Sequence, residues 1–198
     1  MASRIDWQYP APRKGWAGAL DKFIGPGATR AEITWQFGVA GAFAVAMVLL
    51  AWWQQLGWST AQYIVGAFIA LDIGGGISTN STSSAKRWYH RAGQGFGAHF
   101  GFTALHIIQI LLVAWMFLGW NWVYIAVGYG YLLLAALVLL LTAHYMQRSV
   151  GIVLAAVGIV ICLYALPAAP GMEWFMPLLY VKLLVSHLQK EEPYYPAE

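Results

Sequence analysis

Asp72 stands in an apolar stretch, Tyr63 to Ile77, and is followed by Gly74, Gly75 and Gly76 and then by a polar run from Ser78 to Ser84. Near the middle of a bilayer a carboxylate costs about 2.5 to 3.5 kcal/mol unless protein or water meets it. A group kept at that cost binds a proton or polar solute, or pairs with a base to fix helix packing. At 1.5 Å per helical residue, Asp72 lies about 18 Å inward from the outer start of its span, near Thr60. His106 lies about 12 to 15 Å along the next span from its inner start, and Lys182 about 15 Å along the last from its outer start. Groups on different helices pair only at matching heights, so Asp72, His106 and Lys182 form the expected centre of a polar or proton-binding site. His99, Thr103 and His106 follow i, i+4, i+7 spacing on one helix face, with Gln109 beside it. That stripe belongs inside the bundle, and Ser78 and Asn80 are expected to line an opening toward the cytoplasm.

Two other kinds of chemistry are available to these residues. Asp72, His99, His106 and His187 carry nitrogen and oxygen ligands of the type zinc accepts. The chain has no His-x-x-x-His, Cys-x-x-Cys or His-Glu-x-x-His motif, so no metal is expected and the four-residue set stands as the alternative. Lys86, Arg87 and Arg91, interleaved with Trp88, Tyr89 and His90, could hold a lipid headgroup or an anionic substrate. Topology signalling accounts for the same basic cluster. Gly74 to Gly76 lack the strand and spacing of a phosphate loop and act by close packing or by loosening the helix. No Gly-x-Ser-x-Gly elbow is present, and no motif names a cofactor.

The elements that position these residues follow from composition. Of 198 residues, 60% are hydrophobic and 10% charged, with a mean hydropathy of +0.60. That excludes an ordinary soluble domain and a disordered chain, and predicts an all-α, polytopic membrane protein. Six stretches suit a hydrocarbon layer of about 30 Å: Ile33 to Leu56, Thr60 to Ser84, Ala98 to Leu118, Trp122 to Ala143, Val150 to Leu166 and Met172 to Leu188. Their connections are short, so the expected fold is a six-transmembrane-helix up-and-down bundle. Residues 1–31 form a cytoplasmic segment, 32–188 the membrane domain and 189–198 a cytoplasmic tail. Gly15 to Ile24 places Trp16, Leu20, Phe23 and Ile24 on one face, as an interfacial helix does.

Arg4, Arg13, Lys14, Lys22 and Arg30 precede the first span. Lys86, Arg87 and Arg91 follow the second, Arg148 the fourth and Lys190 the sixth, while the alternate connections carry no Lys or Arg. The positive-inside rule then places both termini in the cytoplasm, in a multi-pass protein of a plasma (inner) membrane. The net charge of +3 comes from these clusters, which argues against a nucleic-acid partner. Six tryptophans near the outer ends, Trp52, Trp53, Trp58, Trp120, Trp122 and Trp174, are expected to anchor at headgroup level. Cys162 is the sole cysteine, so no intrachain disulfide forms.

The expected function is a small membrane transporter or channel-like protein with a cytoplasm-accessible proton-binding site around Asp72. The alternative is a membrane enzyme, metal-dependent or not, acting on a lipid or amphiphile at the cytoplasmic face. A further alternative is a subunit of a larger membrane complex. Expected partners are membrane lipids and a small polar solute or lipid substrate, with a second copy or a membrane-complex partner as the further alternatives.

Overall fold

Capping chemistry sets where the long helices begin. Thr29 Oγ1 accepts the Glu32 N–H at 3.2 Å while Glu32 Oε2 accepts the Thr29 N–H at 2.8 Å, and α2 runs Arg30–Trp53 behind that box. Ser59 and Gln62 make the same exchange ahead of α3, Thr60–Asn80. Asn121 Oδ1 accepts the Tyr124 N–H ahead of α7, Trp122–Leu141. In the computed structural model, residues 3 to 196 are described.

Among the described residues the protein is all-α apart from one short strand pair. Helix α1, Gly15–Ile24, precedes α2 and α3. After α3 come α4, Ser83–Tyr89, then α5, Phe96–Leu105, and α6, Ile107–Leu118. Helices α7 and α8, the latter His144–Tyr164, lead to α9, Phe175–Tyr180, which continues as a π-helical segment, Val181–His187. Strands β1, Ser3–Ile5, and β2, Tyr194–Pro196, pair antiparallel with Arg4 opposite Tyr195.

Among the described residues, five helical stretches are long and apolar enough to cross a membrane: Arg30–Trp53, Thr60–Asn80, Phe96–Leu118, Trp122–Leu141 and His144–Tyr164. The last predicted span is shorter, because the chain turns through Met172 to Trp174 before the apolar helix Phe175–His187 begins. It is also the most enclosed element. Phe175, Leu179, Tyr180, Leu183 and Leu184 are fully buried among α3, α7 and α8. The predicted second span splits at Ser81 and Thr82, since Thr82 starts α4 with its own cap onto the Ala85 N–H. The expected connection His144 to Ser149 is instead the first part of α8.

Glycines allow the tightest approaches. Gly74, Gly75 and Gly76 remain within α3, so the triplet acts by packing and not by unwinding: the faces of Gly74 and Gly75 meet Phe43 and Ala40 of α2. A Cβ on Gly76 would run into the Lys182 stem. Gly25, at φ +89°, lets the end of α1 close onto the backbone of Ser84 and Ala85.

Candidate polar and proton-binding site

Helix α3 carries Asp72, α6 carries Gln109, and the start of the π-helical segment carries Lys182. These three converge. Lys182 Nζ donates to Asp72 Oδ2 at 2.5 Å, and Gln109 Nε2 donates to the same oxygen at 2.5 Å. The Lys182 side chain is 3% exposed and that of Asp72 34%, so the acid is the open member of the pair. A π turn widens the helix and appears frequently at functional sites, and here it starts one residue before Lys182.

His106 occupies the break between α5 and α6. Its Nδ1 is 2.9 Å from the Phe102 carbonyl, while its own N–H bonds to Thr103 O at 3.2 Å. A carbonyl only accepts, so Nδ1 carries the proton there and Nε2 is left as the acceptor. The Phe102 carbonyl thus sets the tautomer of His106.

From His106 a row of aromatic rings runs back to the basic cluster. His106 packs on Phe102 at 4.9 Å between centroids, and Phe102 on His187 at 4.3 Å. His99 Nδ1 lies 3.4 Å from His187 Nε2, and His187 Nδ1 lies 3.3 Å from Asn80 Oδ1. With the amide oxygen of Asn80 accepting, His187 donates through Nδ1 and receives from His99 through Nε2. His90 stacks on His99 at 4.5 Å and reaches the His187 carbonyl with Nε2 at 2.9 Å. Burial, with His99 and Lys86 adding to it, pushes His90 down to about 3, so it is neutral at ordinary pH.

The basic cluster divides three ways. Lys86 turns inward and donates to Ser186 O at 2.7 Å and Gln189 O at 2.6 Å, closing the end of the last helix, with Glu191 at 3.5 Å. Burial pushes Lys86 down to about 8, against the pull of Glu191. Arg91 bonds the Trp88 carbonyl at 2.5 Å and lies 3.7 Å over the Trp88 ring. Arg87 is buried and pairs with no acid among the described residues.

Ser78 is not beside Asp72. Its hydroxyl is shared between Gly75 O and Gln36 O, at 3.0 and 3.3 Å, in the packing of α3 on α2. Thr79 donates to Gln36 Oε1 at 3.2 Å, Gln36 Nε2 reaches Thr82 Oγ1 at 3.1 Å, and Ser84 reaches Ile24 O at 3.1 Å. The Ser78 to Ser84 run is therefore engaged in joining α1, α2 and α4, and the expected opening along it is replaced by a bonded network. Gln36 and His90 were missed as interior polar groups. Gln36 was visible as an amide in an apolar span, whereas His90 lies in a basic run that reads as surface until the chain folds under.

The alternative zinc set does not assemble: Asp72 is held by Lys182 and Gln109, while His99 and His187 face each other. Among the described residues no group of three or more His, Cys, Asp or Glu stands where a metal ion could be held. No family model, curated protein or solved structure matches the chain.

Proposed function

We propose that the protein is a small multi-pass membrane transporter or channel-like protein in which Asp72 is the proton-binding group. The observation that carries this is the pairing of a half-open carboxylate with an almost fully enclosed ammonium where three helices meet. Protonating Asp72, or offering it a cationic solute, takes the counter-charge from Lys182. Lys182 then drives a rearrangement or recruits an anion, which is how binding at one group shifts a two-state equilibrium. On the basic side His99 and His187 are joined ring to ring, and neutral imidazole accepts a proton on one nitrogen and releases it from the other; the Phe102 ring stands between His187 and His106, so water has to carry the proton past it.

In this reading the helix Phe175–His187 is the sixth crossing, buried by its neighbours and not by lipid. Both termini lie in the cytoplasm beside the Lys- and Arg-bearing connections. Support for a common side comes from the pairing of β1 with β2. Trp16, Leu20 and Phe23 of α1 are exposed, which fits a helix resting on the inner leaflet of a plasma-type membrane. The partners are lipids and a small polar solute.

Purified protein in liposomes loaded with a pH-sensitive dye, under a potassium diffusion potential set by valinomycin, tests the reading. Wild type carries protons faster than protein-free liposomes, Asp72→Asn lowers that flux at least tenfold, and His106→Gln lowers it severalfold. Proton flux in Asp72→Asn equal to wild type overturns the assignment.

A further inference from the structure

Arg87 is the largest of the almost wholly buried side chains, at 2% exposure, and its Nε and Nη1 have no hydrogen-bond partner among the described residues. A guanidinium does not lose its proton in a protein, so it cannot relieve burial by becoming neutral. A buried charge must be paired or it costs several kcal/mol. The acids within reach of other bases are taken: Glu191 by Lys86, Asp21 by Arg13, Asp72 by Lys182 and Asp6 by Arg4. Glu32 is occupied by the Thr29 cap and the Ser84 N–H, and Glu173 and the exposed Glu192 form no ion pair among the described residues. Among the described residues Arg87 has no anion.

The surroundings indicate which kind. Ser83, one turn earlier on the same face of α4, accepts the Tyr194 N–H at 3.0 Å and keeps its own hydroxyl proton to donate. The Tyr195 ring lies 5.3 Å from the guanidinium carbon. Arg4 is opposite Tyr195 in the strand pair, and cross-strand partners project to the same side of the ribbon. The Arg87 guanidinium and the Ser83 hydroxyl on one helix face, with Arg4 on the Tyr195 side of the ribbon and held at 3.5 Å by an exposed pair with Asp6, match an anion with several oxygens, for which arginine offers paired donors. Each strand of the covering pair is three residues long, too little to be stable by itself, so the cover can lift to admit a ligand.

We propose that Arg87, with Ser83 and Arg4, binds a phosphate group beneath the paired termini, and that binding fastens β1 and β2 over α4. The source is either free inorganic phosphate or the headgroup of an anionic phospholipid. This site is separate from Asp72 and stands whether or not the protein carries protons.

The test is the thermal unfolding midpoint of the delipidated full chain in neutral detergent. It is followed against inorganic phosphate, with chloride adjusted to constant ionic strength, and in parallel against short-chain phosphatidylglycerol. A saturable rise with phosphate, weakened at least tenfold in apparent affinity by Arg87→Gln and severalfold by Arg4→Gln, supports a phosphate site. A rise with phosphatidylglycerol alone, with the same dependence on both arginines, supports the site with lipid as its source. Arg4→Gln keeps the test decisive if Arg87→Gln does not fold. Glu192→Gln and Glu198→Gln each remove an acid of the tail without moving a carboxylate toward the site. If only those variants respond, the natural anion is a side chain of the protein's own tail and the proposal fails. It fails equally if neither ligand moves the wild-type midpoint, or if both arginine variants respond as wild type does.

Discussion

Because Lys182 is almost fully enclosed while Asp72 keeps a third of its side chain open, deleting the two charges has unequal effects. Asp72→Asn strands a buried ammonium, which falls in the range of about 3 to 5 kcal/mol seen when one partner of a buried pair is removed. Lys182→Met leaves a carboxylate that still holds Gln109 and has an open side, and costs less than that range. Combining them removes both charges and restores part of the loss, a positive coupling in a double-mutant cycle. Thermal unfolding of the four proteins in one detergent checks the order. Asp72→Asn less destabilising than Lys182→Met would show that the ammonium has another counter-charge. Depth alone put Asp72, His106 and Lys182 at one height, because helix rise converts sequence distance into height, but left open which base meets the acid; the structure places Lys182 there. Gln109 was legible only as a neighbour of the polar face, since the break at His106 rotates α6 relative to α5 and no periodicity counts across a break.

At the level of elements, glycine separates close packing from open surface. Gly41 of α2 has nothing within reach of an added Cβ, whereas a Cβ on Gly76 meets the Lys182 stem. Gly41→Ala is therefore expected to stabilise by about 0.5 to 1 kcal/mol, the usual gain of alanine over glycine within a helix. Gly76→Ala should instead destabilise and displace Lys182 from Asp72, lowering both the unfolding midpoint and the proton flux. A Gly76→Ala protein as stable and active as wild type would mean that α3 and the last helix do not approach as described. The caps at Thr29, Ser59 and Asn121 were readable from residue type, since hydroxyl and amide side chains satisfy the free N–H groups of a first turn. The π-helical segment was not, because nothing in Val181 to His187 distinguishes a five-residue from a four-residue hydrogen-bond step before neighbours press on it.

Over the whole molecule, buried bases at the Lys- and Arg-rich end make stability depend on pH. His90 is pushed down from 6.5 to about 3 by burial, reinforced by His99, Lys86 and Lys190 and opposed by its bond to His187 O. Between those values the unfolded chain takes up a proton that the folded protein refuses, so stability falls as pH drops through 6.5 toward 3. Lys86, lowered from 10.5 to about 8, adds stability as pH rises across that interval. Tyr89 works the other way: burial raises it from 10.0 to about 12, and stability is lost above 10 because only the unfolded chain ionises there. His90→Gln, which keeps an N–H donor, should flatten the acid limb of the unfolding midpoint, and Lys86→Met the rise between pH 8 and 10. Unaltered limbs in those variants would place the titration elsewhere. The same end of the molecule joins the termini, with Ile5 opposite Tyr194. Ile5→Cys with Tyr194→Cys should form an intramolecular disulfide on mild oxidation, read by mass spectrometry, since opposed strand residues lie within bridging distance. No cross-link would mean that the ends do not meet.

Composition, hydropathy and the spacing of ionisable groups were enough to establish a mainly helical, membrane-type chain and to set Asp72, His106 and Lys182 at one depth, because helix rise and the cost of charge in an apolar span act locally. Helix partners were settled only in three dimensions. Ser78 faces Gln36 and not Asp72, Lys86 closes a helix end instead of meeting solvent, and Arg87 is enclosed without an acid. Side-chain direction depends on rotation about a helix axis, on breaks such as His106, and on which neighbour fills the space opposite. Those are set by packing among residues far apart in the chain, and no local pattern encodes them.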